Sequence, residues 1–113
     1  MFKTNEVVSS VKEARQTWYI YLIRCSDETL YTGISTDVNR RLTEHQTDRV
    51  RGARYLRGRG PLRLVFHRQI GDRSVALRLE IKIKRLNRAA KEQLITQTDY
   101  FDRILQGIVG EPA

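Results

Sequence analysis

The sequence predicts an α+β domain, a three-stranded antiparallel sheet flanked by helices in the order β-β-α-β-α-α. Three observations carry that expectation. Residues 18–25 (Trp-Tyr-Ile-Tyr-Leu-Ile-Arg-Cys) concentrate aromatic and β-branched side chains, the composition of a strand. Leu62, Leu64 and Phe66 alternate with polar neighbours, the two-residue period of another strand. Val75, Ala76, Leu79, Ile83 and Leu86 recur at helical spacing, which gives one long amphipathic helix.

In chain order, residues 1–16 are polar with scattered apolar positions and read as an N-terminal arm or short helix without assigned function. The first strand is 18–25. Ser26-Asp27-Glu28 has turn chemistry, and Thr29 to Ser35 forms the second strand of a hairpin. Thr36 or Asp37 can cap a helix reaching residue 47. Val38 and Leu42 make its apolar side, while Arg41 and His45, four apart, share another face. Residues 48–61 hold Arg49, Arg51, Arg54, Arg57 and Arg59 with Gly52, Gly58 and Gly60, and no acid falls between Asp48 and Asp72. This stretch reads as a basic loop loosened by glycine. Leu62 to Ile70 is the third strand, with Val65 breaking its period. Asp72 caps the long helix, Asn87 can cap another over Arg88 to Ile95, and a last amphipathic piece covers Tyr100 to Leu105. The expected division is a core domain over 17–96, followed by a C-terminal helix and tail over 97–113.

A chain of 113 residues with 40% apolar residues can build one core. No apolar run is long enough to span a bilayer, and the N-terminus lacks the apolar stretch of a secretory signal, so a cytoplasmic protein without membrane contact is expected. Cys25 is the single cysteine, which excludes an internal disulfide and any multi-cysteine zinc site. The net charge is +8, and sixteen of the twenty-one cations are arginine. Arginine's planar fork suits bidentate phosphate contacts, and a small arginine-rich domain points to a polyanion partner.

Tyr19-Ile20-Tyr21 is followed by Tyr31-Thr32-Gly33 ten residues on from Tyr21, by Arg41 ten further, by His45, and by Glu80 on the long helix. This ordered set resembles the GIY-YIG nuclease superfamily, and within it the small standalone YhbQ-like bacterial branch. The likeness covers Trp18 to Ile95, with support from Leu30 to Ile34, Arg40-Arg41-Leu42 and the run Asp72 to Glu80. The first motif has Tyr19 where the family has glycine, and the second has Thr32 for isoleucine; both tyrosines remain. Ile34 stands where several relatives carry lysine.

The resemblance implies a metal-dependent phosphodiesterase and assigns roles. Tyr21 would be the general base and Tyr31 would orient the water or phosphate. A tyrosine brought from pKa about 10 to about 7.5 needs roughly 3.4 kcal/mol of differential stabilisation, to which an arginine, a divalent ion and the phosphate could contribute. Arg41 would grip the scissile phosphate, with His45 assisting as acid or phosphate ligand. Glu80 would hold a single Mg²⁺ or Mn²⁺, since one carboxylate with water and phosphate oxygens suits that ion. Arg40, Arg51, Arg54, Arg57, Arg59 and Lys84 would contact nucleic acid, with Tyr55 free to stack on a base. Blander readings stand beside these: strand tyrosines packing the core, an Arg41 paired with Asp37, a Glu80 paired with Lys84, an Asn87 that only caps, and a mobile basic loop. Cys25 and His67 read as core or strand residues.

The expected function is an endonuclease cutting DNA, with RNA open beside it. With no room for a separate recognition domain its sequence specificity should be low or be supplied by DNA structure or a partner protein. The alternative is a nucleic-acid-binding module that does not cleave; a basic structural partner of an acidic protein is the third.

Overall fold

The computed structural model describes residues 16–48 and 50–110; the expected N-terminal arm, apart from Gln16, and the end of the expected tail, 111–113, lie outside them. The hairpin comes first. Strand β1 (Trp18–Arg24) and strand β2 (Leu30–Ser35) are joined by a turn in which the Cys25 N–H donates to the Thr29 carbonyl at 2.9 Å. The Asp27 carboxylate accepts from the Thr29 N–H at 3.2 Å and hydroxyl at 2.6 Å, and Glu28 takes a left-handed φ of 70°. The chain continues through helix α1 (Val38–Thr47), a 3₁₀ turn (Arg54–Leu56), strand β3 (Arg63–Gly71), and helices α2 (Arg73–Lys84), α3 (Arg88–Thr96) and α4 (Thr98–Val109). The result is the expected α+β architecture.

The sheet order is β2-β1-β3, with β1 antiparallel to both neighbours. Being central, β1 is buried on both faces: Ile20, Leu22 and Ile23 are fully buried and Tyr21 is 2% exposed. Alternation along the strand then builds two cores. Ile20 and Leu22 join Phe66 and the helix residues Leu79, Ile83, Leu94, Phe101 and Ile108. Tyr21 and Ile23 join Cys25, Leu56 and Leu62 on the opposite face, with Val38 and Leu42 of α1 packed against them. Helices α2, α3 and α4 therefore cover one side, and α1 with the segment after it covers the other.

The structure bears out the Asn87 cap and the break at Val65, and corrects the ends of two helices. Val65 is the extra residue of a β-bulge, since Leu22 pairs with Phe66 and Ile23 with Leu64. Helix α2 ends at Lys84, and Leu86 still packs on the core from the turn. Asn87 is a helix cap, its side chain accepting from the Ala90 N–H at 2.8 Å. The last helix runs from Thr98 to Val109, beyond the expected 100–105, because Phe101 and Ile108 both reach the main core. Phe101 meets Phe66 at 5.1 Å between ring centroids. The sequence offered no hint of the bidentate pair between Arg24 and Glu92, both contacts at 2.7 Å, which fastens the end of β1 to α3.

Leu79 is fully buried whereas Ile81 on the same helix is 50% exposed. Leu79→Ala should lower unfolding free energy by about 2–5 kcal/mol and Ile81→Ala by no more than about 0.5 kcal/mol, as read by urea denaturation.

Candidate active site

Tyr21 and Gly33 face each other across the β1–β2 ladder. The Tyr21 ring lies over Gly33: a Cβ there would collide with the phenol oxygen and stand 2.5 Å from Cζ. Gly33 is thus present for space, not for a left-handed backbone or a bulge, and the register through it is regular.

His45, on α1 and 8% exposed, receives that phenol. Its Nδ1 accepts from the Ala53 N–H at 3.0 Å, so Nδ1 carries no proton. The neutral ring must then be protonated at Nε2, which lies 3.0 Å from the Tyr21 oxygen; the Nε2–H donates and the phenol oxygen accepts. Burial, then the neighbouring Arg41 charge, push the His45 pKa down to about 4, so the ring is neutral at pH 7. Both ring nitrogens are engaged within the protein, Nδ1 with the Ala53 N–H and Nε2 with the Tyr21 oxygen.

The Ala53 N–H reaches His45 because of the segment the sequence reads as loose. Asp48 ends α1 and its carboxylate accepts from the N–H groups of Val50 at 2.9 Å and Arg51 at 3.0 Å. The Gly52 N–H donates to the Asp48 carbonyl at 2.8 Å. A Cβ on Gly52 would stand 2.8 Å from that oxygen and 2.9 Å from the Glu44 carbonyl. Leu56 is buried in the second core, Gln46 donates to the Leu62 carbonyl at 3.1 Å, and the Ser26 N–H donates to the Arg59 carbonyl at 2.8 Å. The basic segment is a fitted wall on the sheet.

Arg41 projects from the face it shares with His45. Its guanidinium donates to Glu44 at 3.0 Å and to the Arg51 carbonyl at 2.5 Å. It does not pair with Asp37, which instead caps α1 by accepting from the Arg40 N–H at 3.0 Å. Burial pushes the Tyr21 pKa up, Tyr31 adds to that, and Arg41 opposes both. Tyr31 lies diagonally across the ladder, 6.5 Å from Tyr21 and edge-on to His45 at 5.6 Å between centroids. Tyr55 stacks on Tyr31 at 5.8 Å, and the Arg59 guanidinium sits 4.3 Å from the Tyr55 ring centre.

Glu80 approaches from α2, on the far face of the sheet. Its charge adds to the rise of the Tyr21 pKa, after burial and Tyr31, and Lys84 stands 3.4 Å away. Among the described residues no three His, Cys, Asp or Glu side chains gather as a metal cage. A lone carboxylate that is 18% exposed fits Mg²⁺, which keeps most of its water, and does not fit a zinc or calcium cage. The structure thus brings Tyr21, Tyr31, Arg41 and His45 together, with Glu80 within electrostatic reach.

The surface cations are less free than their number suggests. Arg40 lies 3.8 Å from Glu44, Arg51 3.0 Å from Asp48, and Arg59 pairs with Asp27. Arg54 and Arg57 are exposed. Tyr55 is 43% exposed, but it is already covered by Tyr31 and Arg59. Sequence reasoning missed Gly52, Ala53 and Glu44. Glu44 carried a signal, three residues after Arg41 on one helix; a backbone N–H such as that of Ala53 carries none.

A family model described as the GIY-YIG catalytic domain matches residues 17–93. The chain is 52% identical over 91 residues to the UPF0213 protein YhbQ of Salmonella typhimurium, covering 80% of this chain and 89% of that protein. It is 50% identical over 91 residues to a UPF0213 protein of Citrobacter koseri, with the same coverage of 80% and 89%. A UPF0213 protein of Bacillus halodurans, solved in solution by NMR, is 42% identical with a TM-score of 0.48, over 72% of this chain and 84% of that one.

Two outcomes test the geometry. Gly33→Ala should cost about 1–3 kcal/mol of stability by overpacking, read by denaturant unfolding. The folded pKa of His45, about 4, lies below the unfolded value of about 6.5. The unfolded chain therefore binds the proton first. Stability should be full above about pH 6.5 and fall as pH drops toward 4, by up to roughly 3 kcal/mol. His45→Gln should flatten that part of the stability–pH curve relative to wild type.

Proposed function

The chain belongs to the GIY-YIG catalytic-domain family of the endonuclease superfamily, and from that premise we propose that it is a divalent-metal-dependent endonuclease acting on DNA with low intrinsic sequence specificity. The observation that supports this most is the run of hydrogen bonds from the Ala53 N–H through His45 to the Tyr21 oxygen. A neutral imidazole that donates to a phenol oxygen favours the phenolate. His45 and Arg41 thus both act toward an ionised Tyr21, against the burial that raises its pKa.

In this reading the Tyr21 phenolate takes a proton from the attacking water as its oxygen bonds to phosphorus. The bond from phosphorus to the leaving oxygen breaks, and that oxygen is protonated by solvent. Tyr31 orients the water, and Arg41 holds the phosphate as charge develops on it. Mg²⁺ or Mn²⁺, when bound, supplies positive charge at the phosphate and leaving oxygen. Glu80 would hold that ion, exchanging its contact with Lys84. Arg40, Arg51, Arg54, Arg57, Arg59 and Lys84 position the backbone of the nucleic acid without reading sequence, so selectivity falls to DNA structure or to a partner protein.

The raised pKa of Tyr21 favours a second reading, a binding module that does not cleave. Purified protein incubated with supercoiled, linear and branched DNA in Mg²⁺, Mn²⁺ or EDTA separates the two. A nuclease cuts only with metal, loses cutting in Tyr21→Phe and Glu80→Ala, and is slowed about 10²–10³-fold by Arg41→Ala, as when an oxyanion donor is lost. Salt-sensitive binding without cutting on any substrate establishes the second reading. Cutting that survives in all three variants overturns the site.

A further inference from the structure

Beside Tyr21 on the same sheet face lies a second feature, a cleft of about 290 Å³. Its walls are Tyr19, Leu64 and His67 from the sheet and Asp37, Val38 and Asn39 from the start of α1. His67 is the direct cross-strand partner of Tyr21, which places their Cβ atoms about 5 Å apart. Tyr19 precedes Tyr21 by two residues and stands on the same face, about 6.6 Å along the strand. The cleft therefore lies on the β3 side of Tyr21, whose phenol leans the other way, over Gly33 of β2.

Its lining selects what it takes. Leu64 and Val38 are apolar, and Tyr19 and His67 offer ring faces. Asn39 supplies an amide donor and acceptor, and Asp37 has one carboxylate oxygen committed to the Arg40 N–H, leaving its other oxygen to accept. Among the described residues no lysine or arginine lines the cleft and a carboxylate does, which disfavours a phosphate there. Among the described residues no cluster of metal ligands exists. The volume lies at the low end for small-molecule sites and suits one ring system. Aromatic faces with a few edge-reading polar groups form the chemistry that holds an unstacked base.

We propose that this cleft receives one unpaired nucleobase next to the scissile phosphate, so that the domain selects DNA carrying an unpaired nucleotide beside the cut, as at a flap, gap or bulge, over fully paired duplex. A base stacked within a duplex cannot enter it; an extruded or single-stranded one can, at the smallest unstacking cost when it is already unpaired. The proposal rests on the nuclease reading for its biological meaning. The cleft itself can be probed without cleavage.

The probe is a flap DNA with 2-aminopurine at the unpaired nucleotide, titrated in EDTA with Glu80→Ala protein so that nothing is cut. Its fluorescence should be quenched on binding. Adding His67→Ala should remove the quench and weaken binding about 5- to 150-fold, the range for losing one stacked base, while His67→Tyr should keep both. Tyr19→Leu should act like His67→Ala, with thermal melting checking that each variant folds. Unchanged quench and affinity in folded His67→Ala and Tyr19→Leu overturn the proposal. In parallel, wild-type cleavage of flap and paired duplex of one sequence is compared. Flap selectivity that survives His67→Ala defeats the cleft and leaves the nuclease reading standing. Quenching lost in His67→Ala, with no cleavage of any DNA by wild type, keeps the cleft and defeats the nuclease reading.

Discussion

The ring of Tyr21 occupies the space where Gly33 has no side chain, and much of the molecule is arranged around that contact. For the ring to lie there, β1 must pair with β2 in one register, because a slip by one residue would set Thr32 or Ile34 opposite Tyr21 and turn the phenol to the other face. That register is fixed from the opposite side by Ile20 and Leu22, which sit in the main core with Leu79, Ile83 and Phe101. The large core on one face thus decides the geometry of the polar cluster on the other. A central strand buried on both sides lets a hydrophobic constraint position a hydroxyl.

A second glycine does for the helix what Gly33 does for the strand. Gly52 allows the chain leaving α1 to return against the Glu44 and Asp48 carbonyls. Only then does the Ala53 N–H meet His45, fix its tautomer and aim Nε2–H at Tyr21. The same return brings the Arg51 carbonyl to Arg41. One tight approach therefore orients both His45 and Arg41 beside Tyr21. The acids Asp27, Glu44 and Asp48 spread among the arginines hold this wall in shape, which is a stronger reason for their presence than the small free energy of exposed ion pairs.

The fold was legible because its signals are local. Aromatic and β-branched runs gave the strands, a helical stripe gave α2, and Asp37, Asp72 and Asn87 announced helix starts that the structure uses. The two tyrosines, Arg41, His45 and Glu80 could be named because their ordered spacing resembles a family. What stayed hidden depends on contacts distant in sequence. The Arg24–Glu92 pair spans 68 residues. The extent of α4 was set by burial of Phe101 and Ile108, not by its polar first turn. The wall over 48–61 looked loose since three glycines and five arginines resemble a solvated loop; one of those glycines is there for close packing. His67 read as an ordinary strand residue, and only the pairing of β3 with β1 places it beside Tyr21.

In the proposed reading, Glu80 and Tyr21 would serve one substrate from opposite faces of the sheet. The helix of Glu80 packs on the face opposite Tyr21, yet the carboxylate charge acts on the phenol. Two groups on opposite faces can address one substrate only near a margin of the sheet, and β2, carrying Gly33, is an edge strand. At the middle of the sheet a strand's backbone and side chains would separate them. The missing Cβ of Gly33 lets the phenol lie across β2, toward that margin. Burial raises the pKa of Tyr21 for the same reason that it holds the ring still, so rigidity and acidity oppose one another in this site. Arg41 opposes part of that rise from within the protein. In the proposed reading the remainder would fall to the charges that arrive with the substrate, which would tie ionisation of the tyrosine to occupancy.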